Sequence, residues 1–219
     1  MTENRKSGDG GAVPQAVVSR LSLYLRELQQ LVRGGCETIS STQLGLVLGF
    51  TDAQVRKDLA FFGQFGYPGL GYRCAELISE IKRILGTDRR WPVGIVGIGN
   101  LGQALLGYRG FGEQGFHVAA AFDSDHAKVG QCIEGTPVHH IDDLATVCEA
   151  EDIKLGVIAV PAAAAQEVAQ QLVKAGMEGI LNFAPVTLNL DEQVGIVSVD
   201  LAIELEQLTF AVVNRRKNA

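Results

Sequence analysis

"VGIVGIGNLGQALL", Val93 to Leu106, decides how the rest of the chain is read. An apolar run ends in G-x-G-x-x-G and passes into residues with helical spacing, the strand, tight turn and helix of a dinucleotide-binding βαβ unit. In such a unit Gly97 takes the turn, Gly99 lets the backbone approach a pyrophosphate, and Gly102 lets the helix close on its strand. The first helical amides offer unpaired donors and a partial positive charge to the phosphates, which makes Gly97, Ile98, Gly99, Asn100, Leu101 and Gly102 the candidate contacts.

The residues that follow extend this unit. "FHVAAAFD" reads as the second strand and ends in Asp123, twenty-one residues after Gly102. A carboxylate there accepts from the adenosine ribose hydroxyls and repels a 2′-phosphate, so the ligand expected is NADH or NAD+ rather than NADP(H). "VIAVPAAAA" repeats the strand-to-helix step and puts Ala159, Val160 and Pro161 at the same crevice, while "NFAP", Asn182 to Pro185, ends a further strand. Both stretches read equally as cofactor contacts or as ordinary core and turn. "VGIVG", "FHVAAAF", "LGVIAV", "GILNF" and "VGIVSV" alternate with helix-compatible segments, so residues 87–199 are expected to form an α/β, doubly wound, Rossmann-like parallel sheet. In the tail, residues 200–219, Leu201, Leu205, Leu208, Phe210 and Val212 leave a helix apolar on more than one face, and a second subunit is the expected cover.

Upstream the pattern is helical. Residues 1–13 are polar and glycine-rich and read as a disordered arm. From Pro14, Val17, Leu21, Leu25, Leu28 and Val32 trace one apolar face up to "RGG". "SSTQLGLVLG" has capping-box spacing from Ser40 to Gln43 and an expected inner face of Leu44, Val47 and Leu48. "TDAQVRKDLAFFG" repeats that spacing from Thr51 to Gln54, with Val55, Leu59 and Phe62 inward. "GQFGYPGLGYR" suits a hairpin, and "AELISEIKRILG" gives a fourth helix. A winged helix-turn-helix over residues 14–86 follows.

In that arrangement the second helix of the pair enters the major groove, which presents Gln54, Arg56 and Lys57 to bases and phosphates. Ser40, Ser41 and Thr42 are placed to donate to phosphate, and Tyr67 and Arg73 to lie along the adjacent backbone or minor groove.

The chain of 219 residues is 47% hydrophobic and 20% charged, a globular composition that fits two small domains. Its net charge of -6 is uneven: residues 1–86 carry ten Lys+Arg against eight Asp+Glu, residues 87–219 nine against seventeen. The acidity thus belongs to the second part and leaves the first free to bind DNA. No apolar stretch is long enough to span a bilayer and the opening residues lack a signal peptide's hydrophobic segment, so no membrane association and a cytoplasmic location are expected. Cys36, Cys74, Cys132 and Cys148 form no C-x-x-C pair and read as reduced, buried thiols. His117, His126, His139 and His140 belong to no Ser-His-Asp set or metal-spaced cluster, the last two lying in an exposed loop or short edge strand. With no catalytic residue, no metal ligand and no room for a substrate lobe, the nucleotide is expected to be bound and not consumed. The alternatives are a small NAD-dependent oxidoreductase with a helical dimerisation domain, and a Rossmann module for another adenine nucleotide or CoA.

"VRKDLAFFGQFGYPGLGY", "GIGNLGQALLGYRGF", "AAFD", "IAVPAAAAQEVA" and "ILNFAPV", in this order, resemble the Rex family of redox-sensing transcriptional repressors from about Pro14 to Phe210. Ser22 departs from the family pattern, which often has proline there. The resemblance implies a homodimer that sits on a palindromic operator with NAD+ and leaves it when NADH favours a closed dimer, acting on no protein substrate. It implies a last helix exchanged between subunits. It also implies that Tyr108 in "GYRGF" lies near the nicotinamide, that Asp200 in "VSVDL" interacts with it, and that Arg20 pairs with the partner's Asp200 when DNA is bound.

Overall fold

The computed structural model describes residues 13–67, 69–190 and 193–217, and the chain separates into two compact units, Met1–Arg89 and Arg90–Ala219. The polar arm expected over residues 1–13 lies, Val13 apart, outside the described residues, as does Pro68.

The first unit opens with α1 (Gln15–Arg33), which buries Val17, Leu21, Tyr24, Leu25 and Leu28 and ends on Gly34. Val32, expected on the inner face, is 40% exposed, because the buried stripe leaves the core a turn before the helix ends. A two-residue strand, β1 (Thr38–Ile39), leads into α2 (Ser41–Leu48). Ser40 and Gln43 form the expected capping box, and Gly49 closes the helix at φ 75°, a left-handed position that glycine takes without strain. Of the predicted inner face only Leu44 is buried; Val47 is exposed and Leu48 half-buried, since this short helix touches the core along barely one turn.

Next is α3 (Asp52–Ala60), capped by the Thr51 hydroxyl, with Val55, Asp58 and Leu59 buried. Phe62 lies past its end and is half-buried. The glycine-rich segment is not a hairpin with its own paired strands. Tyr67 and Gly71 form a single bridge, and β2 (Tyr72–Arg73) pairs antiparallel with β1, from before α2. Cys74 then begins α4 (Cys74–Leu85), which buries Leu77 and Ile81 against the α1 side chains.

The second unit is a seven-stranded sheet. In chain order its elements are β3 (Trp91–Val96), α5 (Asn100–Leu106), α6 (Gly110–Glu113), β4 (Phe116–Asp123), β5 (Cys132–Ile133), β6 (Thr136–His140), α7 (Leu144–Ala150), β7 (Leu155–Ile158), α8 (Ala162–Lys174), β8 (Gly179–Asn182), β9 (Gly195–Ser198) and α9 (Leu201–Lys217). The order across the sheet is β5-β6-β4-β3-β7-β8-β9, all neighbours parallel except the β5–β6 pair. Without the short edge strand this is the 3-2-1-4-5-6 order of a dinucleotide-binding fold.

Alternate residues build its two apolar layers: Val93, Ile95, Ala121 and Val157 on one face, Val96, Phe122, Ile158 and Leu172 on the other. "VHH" is not a loop: it lies in β6, paired with β4 from Val138 to His140, while the two-residue β5 pairs only with Thr136 and Pro137, so His139 and His140 sit on a one-sided, edge-like stretch and are half-buried.

Candidate functional site

Parallel strands reverse their order of connection at β3 and β7, and the carboxyl ends of those strands form a crevice. The glycine turn lies there. Gly97 has φ 93°, and a Cβ on it would come within 2.6 Å of Val160 Cγ1 and 2.7 Å of the Ala159 carbonyl oxygen. A Cβ on Gly102 would collide with the Gly97 carbonyl. Both glycines are therefore demanded by the protein's own packing. Gly99 differs: its backbone is extended, at φ -80° and ψ -163°, and a Cβ there would meet nothing within 4 Å. The protein's own packing makes no demand for glycine at this position.

Ala159 donates from its backbone to Val96 O at 2.8 Å, which places "AVP" directly across the crevice from Gly97. "NFAP" resolves to a turn: the Asn182 side chain is fully buried and bonds Ala184 and Val186 of its own loop.

Asp123 ends β4 beside this turn and is 9% exposed. Its Oδ2 accepts from Ile98 N at 2.8 Å and from Lys128 Nζ at 3.0 Å, its Oδ1 from Asp125 N at 2.9 Å. Burial alone raises this carboxyl, but those three donors more than offset it and hold it below the usual carboxylate range. Asp123 is thus ionised and oriented, with Oδ1 retaining acceptor capacity toward a ribose. Lys128, five residues on, was not foreseen; the spacing in a loop carries no periodic signal.

Tyr108 is 60% exposed and meets Phe111 edge to face at 5.1 Å. Gly110 of "GYRGF" makes this possible, since a Cβ there would strike the Tyr108 ring at 2.5 Å. Asp200 is half-buried at the start of α9, and its Oδ1 accepts from Ala202 N at 2.9 Å.

Within the first unit, α3 carries Arg56 and Lys57 outward. Arg56 bonds Asp52 at 2.7 Å and the Ser41 hydroxyl at 3.1 Å; both ionic partners are about half exposed, so solvent screens the pair. The Ser40 hydroxyl is spent on Gln43 in the cap, whereas Thr42 is exposed. Arg73 lies over the Tyr67 ring at 5.1 Å, and both reach Glu76.

Gln54 departs from its expected place. Its amide turns inward to Asp58 Oδ1 at 2.7 Å. Asp58 is fully buried and also accepts Arg20 Nε at 2.6 Å, Arg20 Nη2 at 2.8 Å and the Tyr24 hydroxyl at 2.8 Å. Burial raises its pKa, but the Arg20, Tyr24 and Gln54 bonds prevail and hold it low. Arg20 is therefore already engaged, two-pronged, inside its own unit. Spacing puts Asp58, three residues after Val55 and next to Leu59, on the buried face of its helix, but not the partners it meets there.

Two family models match, the "CoA binding domain" over residues 88–186 and the "Putative DNA-binding protein N-terminus" over residues 12–60. The redox-sensing transcriptional repressor Rex of Carboxydothermus hydrogenoformans is 49% identical over 203 residues, 93% of this chain and 98% of that protein. The Rex repressor of Streptomyces coelicolor is 46% identical over 90% of this chain and 77% of its own length. Among solved structures, the repressor RSP in complex with β-NAD+ and operator DNA superimposes with a TM-score of 0.88 at 33% identity, covering 94% of this chain and 95% of RSP. RSP in complex with β-NADH gives 0.84 at 31%, covering 94% and 97%. From its glycine turn to its capped helix pair, the chain belongs to the Rex family of redox-sensing transcriptional repressors.

Proposed function

We propose that this protein is a cytoplasmic repressor that binds a palindromic operator as a homodimer and leaves it when NADH displaces NAD+ from the crevice at Gly99. The observation that carries this reading is the joining, in one chain, of a dinucleotide turn kept open at Gly99 to a capped helix pair presenting Arg56 and Lys57. The repressors to which the chain is similar are redox-sensing, and RSP has been solved with β-NAD+ and operator DNA and with β-NADH.

Gly97 to Gly102 and Asp123 hold pyrophosphate and ribose, and Ala159, Val160 and Pro161 line the opposite wall. Tyr108 and Asp200 act toward the nicotinamide. Arg56, Lys57, Thr42, Ser41, Tyr67 and Arg73 face DNA, while Gln54 supports the reading helix from inside. Residues 200–219 dimerise the protein: Leu201, Ile203, Leu205, Leu208 and Phe210 of α9 are each at least half exposed, and burying such a side chain stabilises by about 1.5–3 kcal/mol. No helix among the described residues is long and apolar enough to cross a membrane.

A gel-shift titration on a duplex recovered by selection from random sequence tests the whole scheme. Binding in NAD+ should be salt-sensitive and should be lost as NADH is added; binding indifferent to NADH removes the sensor reading.

A further inference from the structure

Cys36 follows α1 and Cys74 opens α4, 38 positions apart in sequence, and the β1–β2 pairing brings them together. Thr38 pairs with Arg73, and Cys74 N donates to Glu37 O at 2.9 Å. That register sets Cys36, the residue before Glu37, beside Cys74, and the Cys36 thiol donates to Thr38 O at 3.2 Å. Their exposures differ. Cys74 is fully buried, whereas Cys36 is partly exposed and lines an open hollow of about 660 Å³ together with Val32, Glu37 and Arg73.

We propose that Cys36 and Cys74 are a dithiol that a hydroperoxide closes to an intramolecular disulfide, giving the protein a redox input separate from its nucleotide. The Cys36 sulfur, reached through the hollow, attacks the peroxide; the O–O bond breaks, water (from hydrogen peroxide) or an alcohol (from an organic hydroperoxide) leaves with the thiol proton, and Cys36 becomes a sulfenic acid. The Cys74 sulfur then attacks Cys36, the S–O bond breaks, and water carries off the Cys74 proton. Two thiols lose two electrons and one peroxide gains them. Burial, and behind it the neighbouring Cys36 sulfur, push the Cys74 thiol up to about 11, which suits it to wait as the resolving partner. The bond closes a loop containing α2 and α3, and drawing the start of α4 toward Cys36 shifts the adjacent Arg73 on β2.

The test uses full-length protein carrying Cys132→Ser, which removes an exposed thiol from another strand. After hydrogen peroxide, unfolding and alkylation, peptide mapping should find Cys36 joined to Cys74 and a chain lighter by about 2 Da, reversed by dithiothreitol and absent in Cys36→Ser. Both thiols alkylated, or Cys36 oxidised alone with Cys74 alkylated, overturns the proposal. The functional arm rests on the repressor reading. Operator binding in NAD+ should weaken about fivefold or more on oxidation, the lower end of ordinary coupling, and Cys36→Ser should abolish the change. Equal affinity of oxidised and reduced protein removes the input role. Failure of the reduced protein to bind any operator instead counts against the repressor reading, and the mapping result stands apart from it.

Discussion

Gly99 and Lys57 are the residues whose roles separate most cleanly. The extended backbone of Gly99 suits a β-branched residue and the space above it is empty, so Gly99→Val should fold with a stability within about 0.5 kcal/mol of wild type. It should nonetheless lose NADH affinity by more than about tenfold, because the added methyls occupy the pyrophosphate's line of approach. Calorimetric titration with NADH checks this, and operator binding should persist but no longer answer to NADH. Unchanged NADH affinity would mean that the ligand does not cross this glycine. Lys57→Ala acts on the other unit. If its ammonium neutralises one phosphate, the slope of log affinity against log salt should become shallower by about one, at nearly uniform cost across sequences. Gly97 and Gly102 make poorer probes: a Cβ on either strikes Val160 or the turn itself, so loss of binding there reports damage to the fold.

The pairing of α1 with α3 turns on one buried carboxylate. Asp58 accepts four hydrogen bonds, two of them from Arg20, and α3 carries Arg56 and Lys57 on its opposite side. Asp58→Ala leaves the partly exposed Arg20 guanidinium and the buried Tyr24 hydroxyl without their acceptor and should destabilise the first unit by about 1–3 kcal/mol, measured by urea unfolding. The pH dependence has a definite sign. The folded pKa is held below that of the unfolded chain, so the stabilisation is present above the unfolded value of about 3.9 and is lost as pH falls through the folded one. Thermal unfolding of wild type should therefore steepen with acid below about pH 4, and Asp58→Asn should be less stable at neutral pH but flatter across that range. An equally steep acid profile in Asp58→Asn would place the sensitivity elsewhere.

The same comparison shows what an element reveals in sequence. Helices announced themselves by apolar residues every three or four positions, and the five longer apolar strands by short continuous runs. β1 and β2, two residues each, are too short to carry a period, and β6 left loop and short edge strand both open because "TPVHH" mixes polar and apolar residues without a continuous apolar run. The interior of α3 was misjudged at Gln54 for a related reason. Capping-box spacing predicts a side chain turned back on its own helix terminus, but a buried carboxylate one turn along is the stronger acceptor.

For the whole molecule, the exposed apolar helix α9 calls for a second subunit. Phe210→Glu, at a side chain 70% exposed, should leave the two folded units intact while shifting sedimentation from dimer toward monomer. Affinity for a palindromic duplex should fall with it, because each half-site is then held alone. A variant that remains dimeric would assign the interface to other surfaces. The switch also has an energetic requirement: a hundredfold effect of NADH on operator affinity needs a coupling of about 2.7 kcal/mol. One partly exposed ion pair supplies about 1 kcal/mol or less, so the coupling must be shared among several contacts that differ between the two dimer arrangements.

Sequence alone determined the order of the longer helices and of five sheet strands, the division into a helical unit and a sheet unit, the glycine turn and the acid that ends the second strand. Each of these is written in spacing along a short stretch of chain, where steric and hydrophobic periodicity act. Tertiary structure alone decided that Asp58 gathers Arg20, Tyr24 and Gln54, that Lys128 and Ile98 N orient Asp123, and that Cys36 lies beside Cys74. Arg20 and Asp58 are 38 positions apart, Ile98 and Asp123 25 apart, and no local pattern signals such meetings. They exist because packing the apolar faces excludes water from a few polar groups, which must then find one another.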